Sequence, residues 1–349
     1  MTTHAAPRAT APQALTRCRA SVEPALRAAV ESLHPQPRRM ASFSLGWCDA
    51  DGTPSAGPGG KGVRQALAVL ATEAAGAPAE PGVAAAVAVE LIHTFSLVHD
   101  DIMDGDERRR HRDTVWKAFG TGPAVLTGDA LFALGVQTLA RAGGPHGAAA
   151  VGRLAEALGD LVHGQADDLL FESRPWTGPG AVGIAEYRAM ADRKTGALLG
   201  CAMALGPLLA GAAPPVVGAL SEAGRRLGLA FQAVDDLLGI WGDPGTTGKP
   251  VHSDLRRRKR TLPVLAATAL DSTAAERLAG LLGSPEPLST AAAAAASAIV
   301  EAAGGREFTM EEARRQVAGA YDCLESVRLA EGAREELVEL CGYVLERRV

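Results

Sequence analysis

Residues 100–107 carry four aspartates and one glutamate, and residues 108–112 carry four arginines and a histidine. This charge closes an oily run, "LIHTFSLV", at residues 91–98. On a helix, positions seven and eleven apart nearly coincide in angle, so His93, Asp100 and Asp104 share a face with Ser96 between them. Asp100 and Asp104 are i,i+4 neighbours of like charge, which costs a helix a few tenths of a kcal/mol. They also lie at the negative end of the helix dipole. A chain accepts such an arrangement where a cation binds. Carboxylates without His or Cys partners suit Mg²⁺, which takes one or two carboxylates and fills its shell from water and phosphate. The plainer alternative is a solvated acidic helix end, paired by the arginines that follow. A second acidic pair, Asp235–Asp236 in "GLAFQAVDDLLGIWGD", favours the metal reading. Two carboxylate groups across a bundle can hold several Mg²⁺ ions around one diphosphate.

The segments that must position these residues read as helices. Ala and Leu dominate, aromatics make up only 4%, and runs of strand-favouring residues are few. The apolar spacing predicts helices over residues 14–33 (interrupted near Pro24), from 63 onward through the acidic cluster, and over 124–142, 148–171, 184–209, 215–241, 261–282 and 289–303, with two more at the C-terminus. The stretch "CDADGTPSAGPGGKG" reads as a loop. "STAAAAAASAIVEAAGG" reads as an alanine helix capped by Ser or Thr and ended by glycines. Residues 1–12 read as a disordered arm, leaving 13–349 as a single all-α domain, a bundle of ten or more helices.

Composition narrows the function. A formal net charge of -5 gives no basic field for nucleic acid. The basic run Arg256, Arg257, Arg258, Lys259 and Arg260 reads mostly as solvated. Five scattered cysteines without a CxxC pair read as reduced thiols in a cytoplasmic protein, with neither a zinc site nor disulfides. No signal peptide is evident. The oily stretches carry breaks before the roughly 18 residues that a membrane span needs, so no span is expected.

From about residue 41 onward, short motifs follow one another in order: "GGKGVR", "LVHDDIMDGDERRRHRDT", "GDAL", "GQADDL", "DRKTGALL", "FQAVDDLL", "GDPGTTGKP" and "SDLRRRKRTLPV". Together they resemble the trans-isoprenyl diphosphate synthases, or polyprenyl synthetases. The resemblance implies the all-α isoprenoid synthase fold around a central cavity, usually as a homodimer, with three Mg²⁺ ions. It implies head-to-tail joining of isopentenyl diphosphate to an allylic diphosphate (dimethylallyl, geranyl or farnesyl). By match to the motifs, Lys61, Arg64, His93 and Arg110 hold isopentenyl diphosphate. Arg109, Lys194, Thr195, Gln232, Lys249 and Lys259 surround the allylic diphosphate. Asp100, Asp104 and Asp235 are the Mg²⁺ ligands, supported by Asp101, Asp236 and Gln165. Asp100, Asp101, Asp104, Arg109, Lys194, Asp235 and Lys249 form the implied catalytic set.

The chemistry explains this inventory. Breaking an allylic C–O bond gives a carbocation and a diphosphate, so fixed cations at the leaving oxygens stabilise the transition state. The double bond of isopentenyl diphosphate then attacks, and loss of a proton ends the reaction. The chamber must be dry, because water quenches the cation. No nucleophilic Ser or Cys is needed.

Some positions depart from the family pattern. The second acidic motif reads Asp235-Asp236-Leu237-Leu238-Gly239, without its usual third carboxylate. His111 stands where glycine is usual, Asp113 where proline is, Gly62 where arginine is frequent and Gln65 where proline is common. These gaps leave open a terpene cyclase on the same fold, which has no use for the isopentenyl pocket, and a non-catalytic regulatory subunit, which would lose an aspartate cluster. Product length is read from Phe95 and Ser96. Phe95 lies about 7.5 Å along the helix from Asp100. An aromatic at that depth with a small residue next to it resembles one geranylgeranyl-making type. Farnesyl diphosphate is the alternative product.

Overall fold

The computed structural model describes residues 10–55, 60–247, 250–284 and 286–346. Its described elements are helices α1 (Ala11–Glu31), α2 (Pro35–Ser44), α3 (Val63–Ala74), α4 (Ala79–Met103), α5 (Val115–Phe119), α6 (Thr121–Ala142), α7 (Gly147–Glu172), α8 (Ile184–Ala191), α9 (Ala197–Leu209), α10 (Pro214–Trp241), α11 (Pro244–Thr247), α12 (Ser253–Arg256), α13 (Leu262–Leu270), α14 (Ser272–Leu282), α15 (Thr290–Ala302), α16 (Gly305–Glu325) and α17 (Glu331–Leu345). A π-helical turn, Asp192–Gly196, separates α8 from α9, and a two-residue hairpin, β1 (Arg108–Arg109) with β2 (Arg112–Asp113), follows α4. The architecture is all-α.

Several elements differ from the sequence expectation for local reasons. Helix α1 begins at Ala11, inside the segment read as an arm, and residues 1–9 lie outside the described residues. It runs through Pro24 without a break. Pro24 is exposed, so the carbonyl it leaves unbonded faces solvent. The stretch read as one helix over 184–209 is divided by the π turn. The stretch over 261–282 is divided at Asp271, whose extended backbone (φ -138°) lets its carboxylate accept from the Thr273 N–H at 2.8 Å and the Ala274 N–H at 3.2 Å. An N-cap competes there with helix continuation. The alanine helix α15 is as expected, with Ser289 Oγ accepting from the Ala292 N–H at 3.1 Å.

The chain forms two compact units, each drawn from three stretches of sequence. Unit one comprises residues 1–156, 199–224 and 323–340. Its core is built on α3, α4 and α6, with Leu67, Leu70, Leu91, Ile92 and Leu131 fully buried. Helices α4 and α6 are each long and apolar enough to cross a membrane, contrary to the interrupted runs read from sequence. Burial explains α4: it is a core helix, enclosed on most of its surface. Unit two comprises residues 157–198, 225–322 and 341–349. Ile240, Leu255, Val264, Leu278, Leu282 and Val300 form its core, flanked by Trp176 and Trp241. All five cysteines are free. Burial pushes the thiols of Cys18, Cys201 and Cys341 up to about 12, which keeps them protonated and inert.

Candidate active site

In unit one, α4 delivers the first acidic group. Asp100 and Asp101 stand in its last turn and Asp104 caps its C-terminus, with φ -82° and ψ -11°. Asp100 remains partly exposed, while Asp101 is 5% exposed. Arg109, on the hairpin, closes on Asp101 with two contacts to Oδ1: Nε donates at 2.8 Å and Nη2 lies at 2.7 Å. The chain reaches that position because Asp106 accepts two hydrogen bonds at its carbonyl, from Thr114 Oγ1 at 2.7 Å and from Trp116 Nε1 at 2.8 Å. At the hairpin tip, Arg110 (φ 50°) and His111 (φ 65°) are both left-handed. A two-residue hairpin turn of this hand needs positive φ at both central positions. His111 therefore holds a conformation that glycine adopts without strain.

The residues matched to isopentenyl diphosphate gather around the start of α3 and the middle of α4. Gly62, at φ 70°, turns the chain into α3, placing Arg64 in the first turn. Arg64 Nη1 donates to His93 Nε2 at 3.2 Å. That bond requires a neutral ring. Burial, and after it the charges of Arg64, Arg110 and Arg109, hold the His93 pKa well below the ordinary 6.5. The Arg110 guanidinium lies over Gly60, where a β-carbon would stand 3.2 Å from Nη1. Exposed Lys61 sits between Gly60 and Gly62, and Arg19 donates to the Gly60 carbonyl. Glu90 faces the same cations. Burial raises its pKa, opposed by Arg64 and by a hydrogen bond from Gln65.

On the same helix, the Phe95 ring meets Phe132 of α6 edge-on at 5.5 Å and His99 at 4.9 Å. Ser96 Oγ donates to the His93 carbonyl at 2.9 Å, so its small side chain is folded back on α4.

In unit two, the second group is organised by hydrogen bonds. Asp235 is partly exposed and Asp236 is 4% exposed. Asp236 Oδ2 accepts from the Tyr187 hydroxyl at 2.5 Å and from the Leu262 N–H at 2.7 Å. Its Oδ1 accepts from Gln232 Nε2 at 2.9 Å, and Gln232 Oε1 accepts from Thr195 Oγ1 at 2.9 Å. Burial lifts the Asp236 pKa to about 7, against the pull of these donors, and holds that of Tyr187 well above its ordinary value.

Lys194 and Thr195 ride on the π turn, a bulge type common at functional sites. The turn is pinned from two sides. Gly164 of α7 lets the Lys194 backbone approach where a side chain would overlap it, and a β-carbon on Gly228 would stand 2.5 Å from Gly196 Cα. Arg225 clamps its first residue, donating from Nη2 and Nε to Asp192 at 2.6 and 3.0 Å. Lys194 Nζ donates to Asp168 Oδ2 at 2.5 Å, and Lys259 Nζ to Glu172 Oε1 at 2.6 Å. Both lysines are thus held by α7 carboxylates. Arg260, expected in solvent, is 6% exposed: its guanidinium stacks 3.4 Å from the Trp176 ring centroid and donates to the carbonyls of Arg258 and Arg174. Lys249 lies outside the described residues.

Sequence reasoning missed Tyr187, Asp168, Glu172 and Arg225. They lie far from their partners in sequence and carry no local pattern; only the "GQADDL" motif touched one of them.

The donor chemistry fits Mg²⁺. Partly exposed carboxylate oxygens at Asp100, Asp104 and Asp235 are hard ligands. Both amide atoms of Gln165, a residue 7% exposed, are buried without a hydrogen-bond partner, which gives it a donor and an acceptor for a metal-bound water. Among the described residues no three His, Cys, Asp or Glu side chains converge as a preformed metal cage. Mg²⁺ typically takes most of its shell from water and phosphate and does not need one.

The polyprenyl synthetase family model matches residues 48–300. A (2E,6E)-farnesyl diphosphate synthase of Mycobacterium tuberculosis is 44% identical over 330 residues, 94% of this chain and 90% of its own length. A geranylgeranyl diphosphate synthase of the same organism is 44% identical over 311 residues, 89% of this chain and 87% of its own. The crystal structure of a polyprenyl synthetase from Streptomyces coelicolor superposes with a TM-score of 0.89 at 47% identity, covering 95% of this chain and 98% of that one. Motif order, fold and relatives agree, and the chain belongs to the polyprenyl synthetase family of trans-prenyltransferases.

Proposed function

We propose that the protein is an Mg²⁺-dependent prenyltransferase that condenses isopentenyl diphosphate with dimethylallyl, geranyl and farnesyl diphosphates to give geranylgeranyl diphosphate. The observation that carries this reading is the intact isopentenyl group: Arg64 bonded to a neutral His93, with Arg110 laid over the Gly60–Lys61 turn. A cyclase that only ionises its substrate has no use for a second diphosphate pocket. Both aspartate groups are also present, which speaks against a regulatory subunit.

In this reading Asp100, Asp104 and Asp235 hold Mg²⁺, three ions by family resemblance, against the allylic diphosphate. The bound ions would neutralise the leaving oxygens as the C–O bond breaks. Lys194, Thr195, Lys249 and Lys259 orient the same group, and Lys194 and Lys259 exchange their α7 carboxylates for phosphate oxygens. Arg109 both fixes Asp101 and faces the diphosphate. Lys61, Arg64 and Arg110 hold isopentenyl diphosphate with its double bond towards the cation. The apolar walls of α4 keep water out, and the departing diphosphate takes the proton. A homodimer in the cytoplasm belongs to the same proposal; exposed Val125, Leu126 and Phe132 on α6 support an apolar contact between copies.

Geranylgeranyl length rests on Phe95 and Ser96, with the mycobacterial geranylgeranyl synthase in support. The farnesyl reading has its own support in the farnesyl synthase relative. The test is chromatography of products made by the purified chain with Mg²⁺, isopentenyl diphosphate and each allylic starter. A twenty-carbon diphosphate supports the proposal. A fifteen-carbon product replaces it with the farnesyl reading, a cyclised hydrocarbon indicates a cyclase, and no product with any starter contradicts a catalytic role.

A further inference from the structure

Gly60 stands between two guanidiniums. Arg110 lies over its Cα, where a β-carbon would meet Nη1 at 3.2 Å and Nη2 at 3.4 Å, and Arg19 of α1 donates from Nη2 to its carbonyl. Arg19 also closes on the next glycine: a β-carbon on Gly62 would touch its Nε and Nη2 at 3.7 Å each. Glycine at 62 therefore leaves the space beside the turn to Arg19. Lys61, between the two glycines, is presented by a turn that Arg19 touches at both ends. Helix α1 brings Arg19 there on a firm mount. Cys18 and Val22 are fully buried, and Arg17 donates to the two carboxylate oxygens of Glu73 at 2.8 Å each and to Glu336 at 2.9 Å. Arg19 itself stays exposed. Its charge reaches Glu90 together with those of Arg64 and Arg110. Three guanidiniums act on this one carboxylate, with Lys61 on the turn beside them, so the group carries an excess of positive charge that suits an anion.

We infer that Arg19 is a positioning residue for isopentenyl diphosphate: it fixes the Gly60–Gly62 turn against α1 and so sets where Lys61 meets the diphosphate. This rests on the prenyltransferase reading above. A lysine with glycine on both sides sits on backbone that has much freedom to lose when substrate binds. A guanidinium held on a neighbouring helix removes that freedom beforehand, which is preorganisation. Arg19 lies 41 residues before Gly60 and belongs to none of the motifs read from the sequence.

The test is steady-state kinetics of the purified full chain with isopentenyl diphosphate, geranyl diphosphate and Mg²⁺, in four forms: unchanged, Arg19→Ala, Arg19→Lys and Arg17→Ala. The unchanged protein must join the two substrates; if it does not, the prenyltransferase reading itself fails. Given turnover, Arg19→Ala is expected to raise KM for isopentenyl diphosphate about tenfold, the order of one hydrogen bond to a charged group, with kcat and KM for geranyl diphosphate within about twofold. Arg19→Lys keeps a charged donor and is expected to recover most of the loss. Arg17→Ala breaks the ion pairs that dock the same helix; it is expected to lower the melting temperature and leave KM for isopentenyl diphosphate unchanged. An Arg19→Ala variant with an unchanged KM for isopentenyl diphosphate overturns the inference. So does an equal rise in both KM values, or an Arg17→Ala variant that raises the isopentenyl KM as far as Arg19→Ala, since either assigns the effect to a general loosening of α1. Should Arg19→Ala fail to fold, Arg19→Met, which keeps an apolar stem and loses the donor, decides by the same split.

Discussion

The two aspartate pairs bury their second residue and leave their first partly exposed, but they hold the buried one by different means. Asp101 is fixed by charge: the Arg109 guanidinium closes on it from the hairpin. Asp236 is fixed by dipoles, taking three hydrogen bonds from Tyr187, Leu262 and Gln232 with no cation among them. A carboxylate paired with arginine stays ionised when buried, whereas one held by neutral donors pays for its desolvation in pKa. Asp236 accordingly rises to about 7. The division within each pair is the same: one aspartate anchors α4 or α10 locally, and its neighbour stays partly exposed.

The sharpest break of this comparison is to remove the outward residue from either pair. Asp100→Ala and Asp235→Ala should each cut turnover about 10³-fold, the upper end of what loss of one transition-state contact costs. Melting temperatures should stay nearly unchanged, and calorimetry beside steady-state kinetics checks both halves.

Removing the inward residue should lower stability in unit one and change the pH dependence of stability in unit two. Asp101→Asn leaves Arg109 facing an amide. Arg109 is about a third exposed, so the cost to stability is about 1–2 kcal/mol, read from urea denaturation. For Asp236 the sign of the pH effect separates the two pairs. Its folded pKa of about 7 exceeds the ordinary 3.8, so the native state binds the extra proton between those values. Its contribution to stability is therefore complete below about pH 4 and is lost as pH rises through 7. Metal-free Asp236→Asn should show a flatter urea midpoint across that window than the unchanged protein.

Phe95→Ala should lengthen products beyond twenty carbons and Ser96→Phe should shorten them; an unchanged distribution in the first would remove Phe95 as a floor. The smallest effect sits at the hairpin that carries Arg109. His111→Gly relieves a left-handed conformation worth about 1–2 kcal/mol for an ordinary residue, less the entropy glycine loses on folding, about 0.5–1 kcal/mol. A rise of a few degrees in melting temperature is expected.

Much of this was legible in the sequence. The i,i+4 spacing of Asp100 and Asp104, the oily segment before them and the second pair on another oily segment placed both groups on helix ends or faces. The serine cap and closing glycines delimited α15. What stayed hidden depends on contacts distant in sequence. Tyr187 and Leu262 reach Asp236 from other elements, and neither has a pattern of its own. The π turn at Lys194 reads as unbroken helix, because glycines at 164 and 228, far along the chain, make room for it. Arg260 looked solvated because its run is basic; Trp176, its stacking partner, lies some eighty residues earlier.

The central claim of the proposed function is that binding of an Mg²⁺-held diphosphate needs both Asp100 and Asp235. Isothermal titration of inorganic pyrophosphate into the protein with saturating Mg²⁺ tests it directly, comparing the unchanged chain with Asp100→Ala and Asp235→Ala. The account predicts one tight site per chain in the unchanged protein, weakened strongly by either substitution. Two independent sites per chain, each lost with only one of the two aspartates, would contradict it.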